Sequence, residues 1–215
     1  MYEEYSVFER DYIQKHKMKR EIFTVCNQEL EEILTLCKQH SVTVNNWLIA
    51  KMMLEENTDK VVIAADIRDQ VKCYRQGAMG NYSTAFSVSV KKNEENVITL
   101  AKRVASQVIN ICRHPQREML VLACYIHMLP ELIDAVAIST LGGFGSKAGT
   151  FVGRNMFGYG SQSGYSITNL GKIQSTIIAE AVFIQPASPA NKKTWGVLTV
   201  NNHMKICTSN LIAEK

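Results

Sequence analysis

Two short polar clusters have residue types and spacings that could do chemistry. In the first, Asp66 and Arg68 flank Ile67 directly after the apolar run KVVIAA, and Gly80-Asn81 follows a polar stretch. A carboxylate and a guanidinium two residues apart on a strand project to the same side. The pair therefore reads as a fixed, bidentate polar anchor at a strand end. The second cluster is Tyr165-Ser166-Ile167-Thr168-Asn169-Leu170-Gly171, a strand that closes on a polar tip and a glycine turn. Taken singly, each is common strand-end punctuation, and for either alone that reading ranks above a functional one.

The remaining reactive side chains form no recognisable site. Of the five histidines, His16 and His40 sit in polar surroundings and read as exposed, and His114 precedes Pro115 at a helix end, where a cation suits the dipole. His127 lies in the apolar stretch LACYIHML and reads as a satisfied, partly buried residue; His203 falls in a turn between strands. No HExxH and no GxSxG occurs. The stretch GGFGSKAGTFVG lacks the GxxxxGK[ST] order that places a lysine after a nest of amides, so a flexible loop is the better reading than a phosphate cradle. The six cysteines, at 26, 37, 73, 112, 124 and 207, contain no CxxC. They give a zinc site no support, and Cys37, Cys112 and Cys124 read as buried, reduced thiols in apolar-periodic stretches. No metal site and no catalytic residue is assigned.

The elements that must carry the two clusters follow from periodicity. Residues 1–20 read as a charged, partly helical lead-in, and 21–215 as a single lobe. Arg20 to Cys26 reads as a short strand. Asn27 then caps a helix with Leu30, Ile33, Leu34 and Cys37 on one face. Thr43 caps a second helix through Glu56 that buries Trp47, Leu48, Met52 and Leu54. Lys60 to Ala65 is a buried strand ending at Asp66, and Tyr82 to Val90 is another after a break at 77–81. Asn93-Glu94-Glu95 opens a long helix to about Arg113 that Pro115 ends. Gln116 to Ser139 is a further helical region, bent or broken at Pro130. Eight of the 12 glycines fall between Leu141 and Gly164, which reads as a loop. Tyr165–Thr168, Ser175–Gln185, Thr194–Asn201 and His203–Asn210 are strand-like, with the turn-rich PASPANK between two of them. The fold class is α/β, a two-layer sandwich of helices on a mixed sheet.

The order of these motifs is more specific than any one of them. TVNNWLIAKM, ADIRD, GNYSTAF, two long helices, YSITNLGKI and WGVLTVNNHMKICTS follow one another over roughly residues 20–210. This succession resembles the C-terminal half of condensation-domain and alcohol-acetyltransferase-like proteins, in the chloramphenicol-acetyltransferase-like acyltransferase superfamily. The resemblance implies one of two similar α/β lobes around a tunnel. It implies acyl transfer from a CoA or phosphopantetheine carrier thioester, a co-substrate rather than a resident cofactor, to an alcohol or amine. It further implies a substrate-side role for Ser166, Thr168, Asn169 and Asn81, and a structural role for Asp66, Arg68, Gly80 and Gly171. The family's base is the histidine of an HHxxxDG motif on the other lobe, where it removes the acceptor's proton.

That motif is absent from the sequence. The nearest spacings, His114-x-x-x-Glu118 and His127-x-x-x-Glu131, lack the second histidine and the glycine and fall in helices. The chain therefore reads as the second lobe of a longer enzyme, with no closing helix after Ala213, inactive without a partner lobe that carries HHxxxDG. The alternative is a non-catalytic binding or oligomerising module of the same fold, for which a homo-oligomer is expected.

Composition agrees with a folded lobe. The chain has 215 residues, 24 Lys+Arg against 20 Asp+Glu, and a net charge of +4, with 46% hydrophobic and 20% charged residues. Disordered, collagen-like and low-complexity classes are excluded. A dispersed +4 gives no nucleic-acid footprint. No apolar run approaches a membrane span and the N-terminus has no signal core, so a cytoplasmic protein is expected.

Overall fold

The computed structural model describes residues 10, 14–66, 68, 75–77, 83–91, 96–114, 127–141, 146–157, 164–186 and 191–213. The elements are β1 His16–Val25, α1 Asn27–Gln39, α2 Val44–Glu55, β2 Lys60–Asp66, β3 Ser83–Ser89, α3 Val97–Arg113, α4 Pro130–Leu141, α5 Lys147–Val152, a π turn Gly153–Phe157, β4 Gly164–Ile173, β5 Asn191–Val200 and β6 His203–Ala213. The six strands form one mixed sheet in the order β1-β6-β5-β4-β2-β3. β2, β4 and β5 run parallel, and the other pairings are antiparallel. This is the α/β arrangement of helices on a mixed sheet that the periodicity predicts.

One sheet face carries the core. Val61, Ile63, Phe86, Val88, Tyr165, Ile167, Trp195, Val197, Met204 and Ile206 are buried with Leu30, Ile33 and Cys37 of α1, the Trp47–Met53 stretch of α2, and Ile98, Leu100, Ala101 and Val104 of α3. Alternation along each strand puts every second side chain on this face. α2 is capped by Thr43, whose hydroxyl accepts from Asn46 N, as its sequence predicts. Among the described residues no helix is long and apolar enough to cross a membrane.

Several local expectations change. Cys26, not Asn27, caps α1, its Sγ accepting from Glu29 N at 3.5 Å, and Leu34 is exposed. Asn96 caps α3 through Ile98 N, whereas Asn93–Glu95 lie outside the described residues. The break expected at Pro130 is there: His127 is helical, 128–129 are not, and Pro130 opens α4, as a residue without an N–H suits a first turn. Part of the glycine-rich region is helical: Ser146 caps α5, and Gly149 and Gly153 bring that segment against Ser139 and Thr140 too closely for any Cβ. Cys112 is exposed, while Cys37 and Cys207 are buried; Cys73 and Cys124 lie outside the described residues.

The largest difference concerns 174–186. Ser175–Gln185 reads as a strand from its β-branched residues, but it forms no ladder and lies as an irregular strap on the second face of the sheet. Asn201 fixes its start: Nδ2 donates to Ser175 O (2.8 Å) and Ile178 O (2.9 Å), and Oδ1 accepts from Ser175 N (2.9 Å). Lys205 pairs with Glu180. Further on, Phe183 lies directly over Gly196, and Gln185 Nε2 reaches Ser166 Oγ at 3.4 Å. Asn201 and Asn202 both have positive φ, 48° and 69°, as a two-residue β5–β6 hairpin loop requires.

Candidate functional site

Three parallel strands, β2, β4 and β5, end at one edge of the sheet. In open α/β sheets the carboxyl ends of such strands are where ligands gather. Asp66, the Asn169–Gly171 bend and Asn201 all belong to that edge.

At the end of β2 the anchor forms. Asp66 Oδ1 accepts from Arg68 N at 3.0 Å, and Oδ2 pairs with the Arg68 guanidinium. Both side chains are about half exposed, 55% and 45%. Arg68 lies beyond the last residue of β2, so the two side chains do not project from one strand as their spacing predicts, and the guanidinium meets Asp66 Oδ2 through Nη1. Gly80 and Asn81 lie outside the described residues.

In β4 the polar residues divide between the faces. Tyr165 and Ile167 point into the core, so Asn169 shares their side, and Ser166 and Thr168 take the other. Asn169 and Thr168 are half-buried. Asn169 Oδ1 accepts from Gly171 N at 2.8 Å. Gly171 does not terminate the strand as the sequence predicts. Asn169 pairs with Val197 and Lys172 with Thr199, one extra residue on β4, and Gly171 takes φ +82°. The result is a bulge inside a strand that continues to Ile173.

Ser166 is buried at 4% exposure, and its Oγ accepts from both Gln185 Nε2 and Asn191 Nδ2, the latter at 3.1 Å. Register places Thr194 beside Ser166, and Ser209 beside Thr194. The three hydroxyl residues make a buried transverse row on the second face, with Thr194 Oγ1 donating to Ser209 O. Gln185 Oε1 and Ser209 Oγ are buried without a hydrogen-bond partner among the described residues. An amide acceptor and a hydroxyl in such a position can hold a water or another small polar group. Sequence reasoning found Ser166 but missed Gln185, Asn191, Thr194 and Ser209, because only the fold brings them together.

Among the described histidines, His203 sits at this edge, directly after the Asn201-Asn202 loop. His127 is exposed beside a helical cavity, His114 caps the end of α3, and His203 is exposed where β6 begins. Among the described residues no group of three His, Cys, Asp or Glu side chains is placed to hold a metal ion. Burial pushes the Cys37 thiol up, which keeps it protonated and inert. The hydrogen bond and charge of Lys205 hold the Glu180 carboxyl below its ordinary range, and Lys19 does the same for Glu21. Lys193 Nζ and Glu56 Oε1, 2.6 Å apart and largely shielded, tie β5 to the end of α2.

No family model matches the chain, and no curated protein matches it. Solved structures do. Polyketide synthase associated protein 5 from Mycobacterium tuberculosis superposes with a TM-score of 0.57 at 14% identity, over 92% of this chain and 48% of that one. The epimerization domain from the third module of tyrocidine synthetase B superposes with a TM-score of 0.52 at 13% identity, over 92% of this chain and 43% of that one. The likeness is one of fold, and the chain spans a little under half the length of these neighbours.

Proposed function

We propose that the chain is the second, C-terminal lobe of a condensation-domain-like acyltransferase. In this reading it acts with a lobe that supplies the HHxxxDG histidine, and moves an acyl group from a CoA or carrier-protein thioester to an alcohol or amine. The observation that carries the reading is the half-length match: 92% of this chain overlays 48% of one neighbour and 43% of another. Those neighbours are a polyketide synthase associated protein and a synthetase epimerization domain, and the collinear motifs of the sequence support an acyltransferase reading.

The proposed chemistry divides between lobes. The partner histidine takes the proton of the acceptor, which then attacks the thioester carbonyl. This chain contributes the wall of the tunnel. In this reading the end of β4 that carries Asn169 faces the reacting groups, whereas Ser166, buried on the opposite face and bonded to Gln185 and Asn191, holds the sheet rather than a substrate, and the Asp66–Arg68 pair marks the neighbouring strand end. The bulge at Gly171 sets the angle at which Asn169 leaves the strand.

The test is reconstitution. The chain alone is expected to show no acyl transfer from acyl-CoA, and activity is expected on adding a lobe that carries HHxxxDG. Turnover by the isolated chain would overturn the division of labour.

A second reading has one observation in its favour. Ile177 is 92% exposed, and Ile178 and Ile184 about half exposed, on a strap held to the sheet largely by polar contacts. Such a surface suits a binding or oligomerising module. Sedimentation decides: a monomer at micromolar concentration counts against it.

A further inference from the structure

The helical unit formed by α4 and α5 holds a cavity separate from the strand ends. Val136 and Ile138 are buried there but do not belong to the core under the sheet. The two helices are clamped at one end by small residues. Thr150 Oγ1 donates to Ser139 O at 3.2 Å, and Thr140 Oγ1 to Gly149 O at 3.4 Å. Gly149 and Gly153 sit directly on Ser139 and Thr140. Beyond the clamp the helices leave an open cavity of about 560 Å³ that runs back along α4 to His127.

Among the described residues its walls are Met128, Leu132, Ala135, Val136, Ala148 and Val152, with no Asp, Glu, Lys or Arg. The two serines at the clamped end are already engaged. Ser139 Oγ donates to Val136 O at 3.4 Å, and Ser146 Oγ accepts from Gly149 N at 3.1 Å. The interior therefore asks for no hydrogen-bonding ligand atom. Among the described lining residues, His127 is exposed and can meet a polar group. The volume falls inside the range of small-molecule pockets, about 300–1,000 Å³. A closed end, aliphatic walls and one polar residue away from that end fit a slender chain with a polar head.

We propose that this cavity binds an aliphatic chain, its polar end at His127 and its methyl end at the Ser139–Gly149 clamp. The proposal is independent of the transferase reading, because it concerns binding by this chain alone. Failed reconstitution with a second lobe leaves it standing, and failed chain binding leaves the transferase reading standing.

The experiment is calorimetric titration of the full chain with alkan-1-ols from hexanol to dodecanol, each below its solubility limit. Affinity is expected to rise about fourfold per added methylene until the cavity is full, and then level off. Ala148→Phe, at an exposed position on the cavity wall, and Ala135→Trp are each expected to weaken decanol binding at least tenfold. Ile177→Ser, on the strap, is expected to leave it unchanged. Where Ala135→Trp lowers the melting temperature, Ala148→Phe decides. Absence of binding, affinity independent of chain length, or decanol binding equally well to Ala148→Phe overturns the proposal.

Discussion

The carbonyl oxygen of Phe183 occupies the position that a side chain on residue 196 would need. Gly196 lies mid-strand in β5 with its Cα facing the strap, and an added Cβ would meet that oxygen well inside contact distance, with Gln185 N a further 3.2 Å neighbour. A glycine in a strand interior usually marks such a close approach of backbone. The obstacle is backbone, so it cannot rotate away. Gly196→Ala is expected to lower stability by about 1–3 kcal/mol, the scale of overpacking. Chemical denaturation of the variant checks it, and an unchanged midpoint would show that the strap is not seated on β5.

Asn201 holds the other end of the strap and shapes the hairpin at once. Its side chain makes three bonds to Ser175 and Ile178, and its φ of 48° suits asparagine or glycine. Asn201→Gly separates the roles, since it keeps the backbone comfortable and deletes the bonds. It is expected to cost about 1–3 kcal/mol at roughly 1 kcal/mol per bond. Proteolytic cleavage within 174–186 should speed up, while the melting curve stays cooperative.

Acid should loosen the same segment. Glu180 has its carboxyl held below the ordinary range by Lys205, with His203 adding a smaller pull. A group with a depressed folded value contributes stability that is complete above its unfolded value, about 4.3, and is lost as pH falls through the folded value. Hydrogen exchange of the strap amides is expected to rise as pH is lowered from 5 towards 3, after correction for intrinsic rates. Glu180→Gln should show raised exchange already at pH 7 and a flatter profile below it. Glu21 and Lys19, at 2.8 Å on β1, titrate in the same window, so the readout must be confined to the strap.

What the sequence disclosed and what it hid separate by range. α2 and β2 were legible because a threonine cap and a continuous apolar run act within a few residues, whereas the turn read at His203 lies at Asn201-Asn202, with His203 already in the ladder. The strap was not legible. Ile177, Ile178, Val182, Phe183 and Ile184 have strand propensity, but a ladder needs a free neighbouring edge, and here the segment crosses the sheet face instead. The glycines at 149 and 153 looked like flexibility. They are small because Ser139 and Thr140 lie against them, a contact between two helices that periodicity does not register. In the candidate site, Asp66 and Arg68 were readable from a spacing of two. Ser166 was readable only as a polar residue on a strand, because its partners Gln185 and Asn191 are 19 and 25 residues away.

The bulge in β4 offers the sharpest local test of how the strand presents its polar residues. Gly171 has φ +82°, and an added Cβ would meet nothing within 4 Å. Space is therefore no obstacle, and the cost of a side chain comes from the backbone alone. Gly171→Ala is expected to lower stability by about 1–2 kcal/mol, the scale for a non-glycine residue in the left-handed region. Gly171→Asn should cost less, because asparagine tolerates that region. A steric requirement would rank the two in the opposite order, since asparagine is larger. Equilibrium unfolding of both variants gives the ranking. A shift of the Asn169 and Lys172 amide resonances in Gly171→Ala, larger than in Gly171→Asn, would locate the effect at the bond from Gly171 N to Asn169 Oδ1.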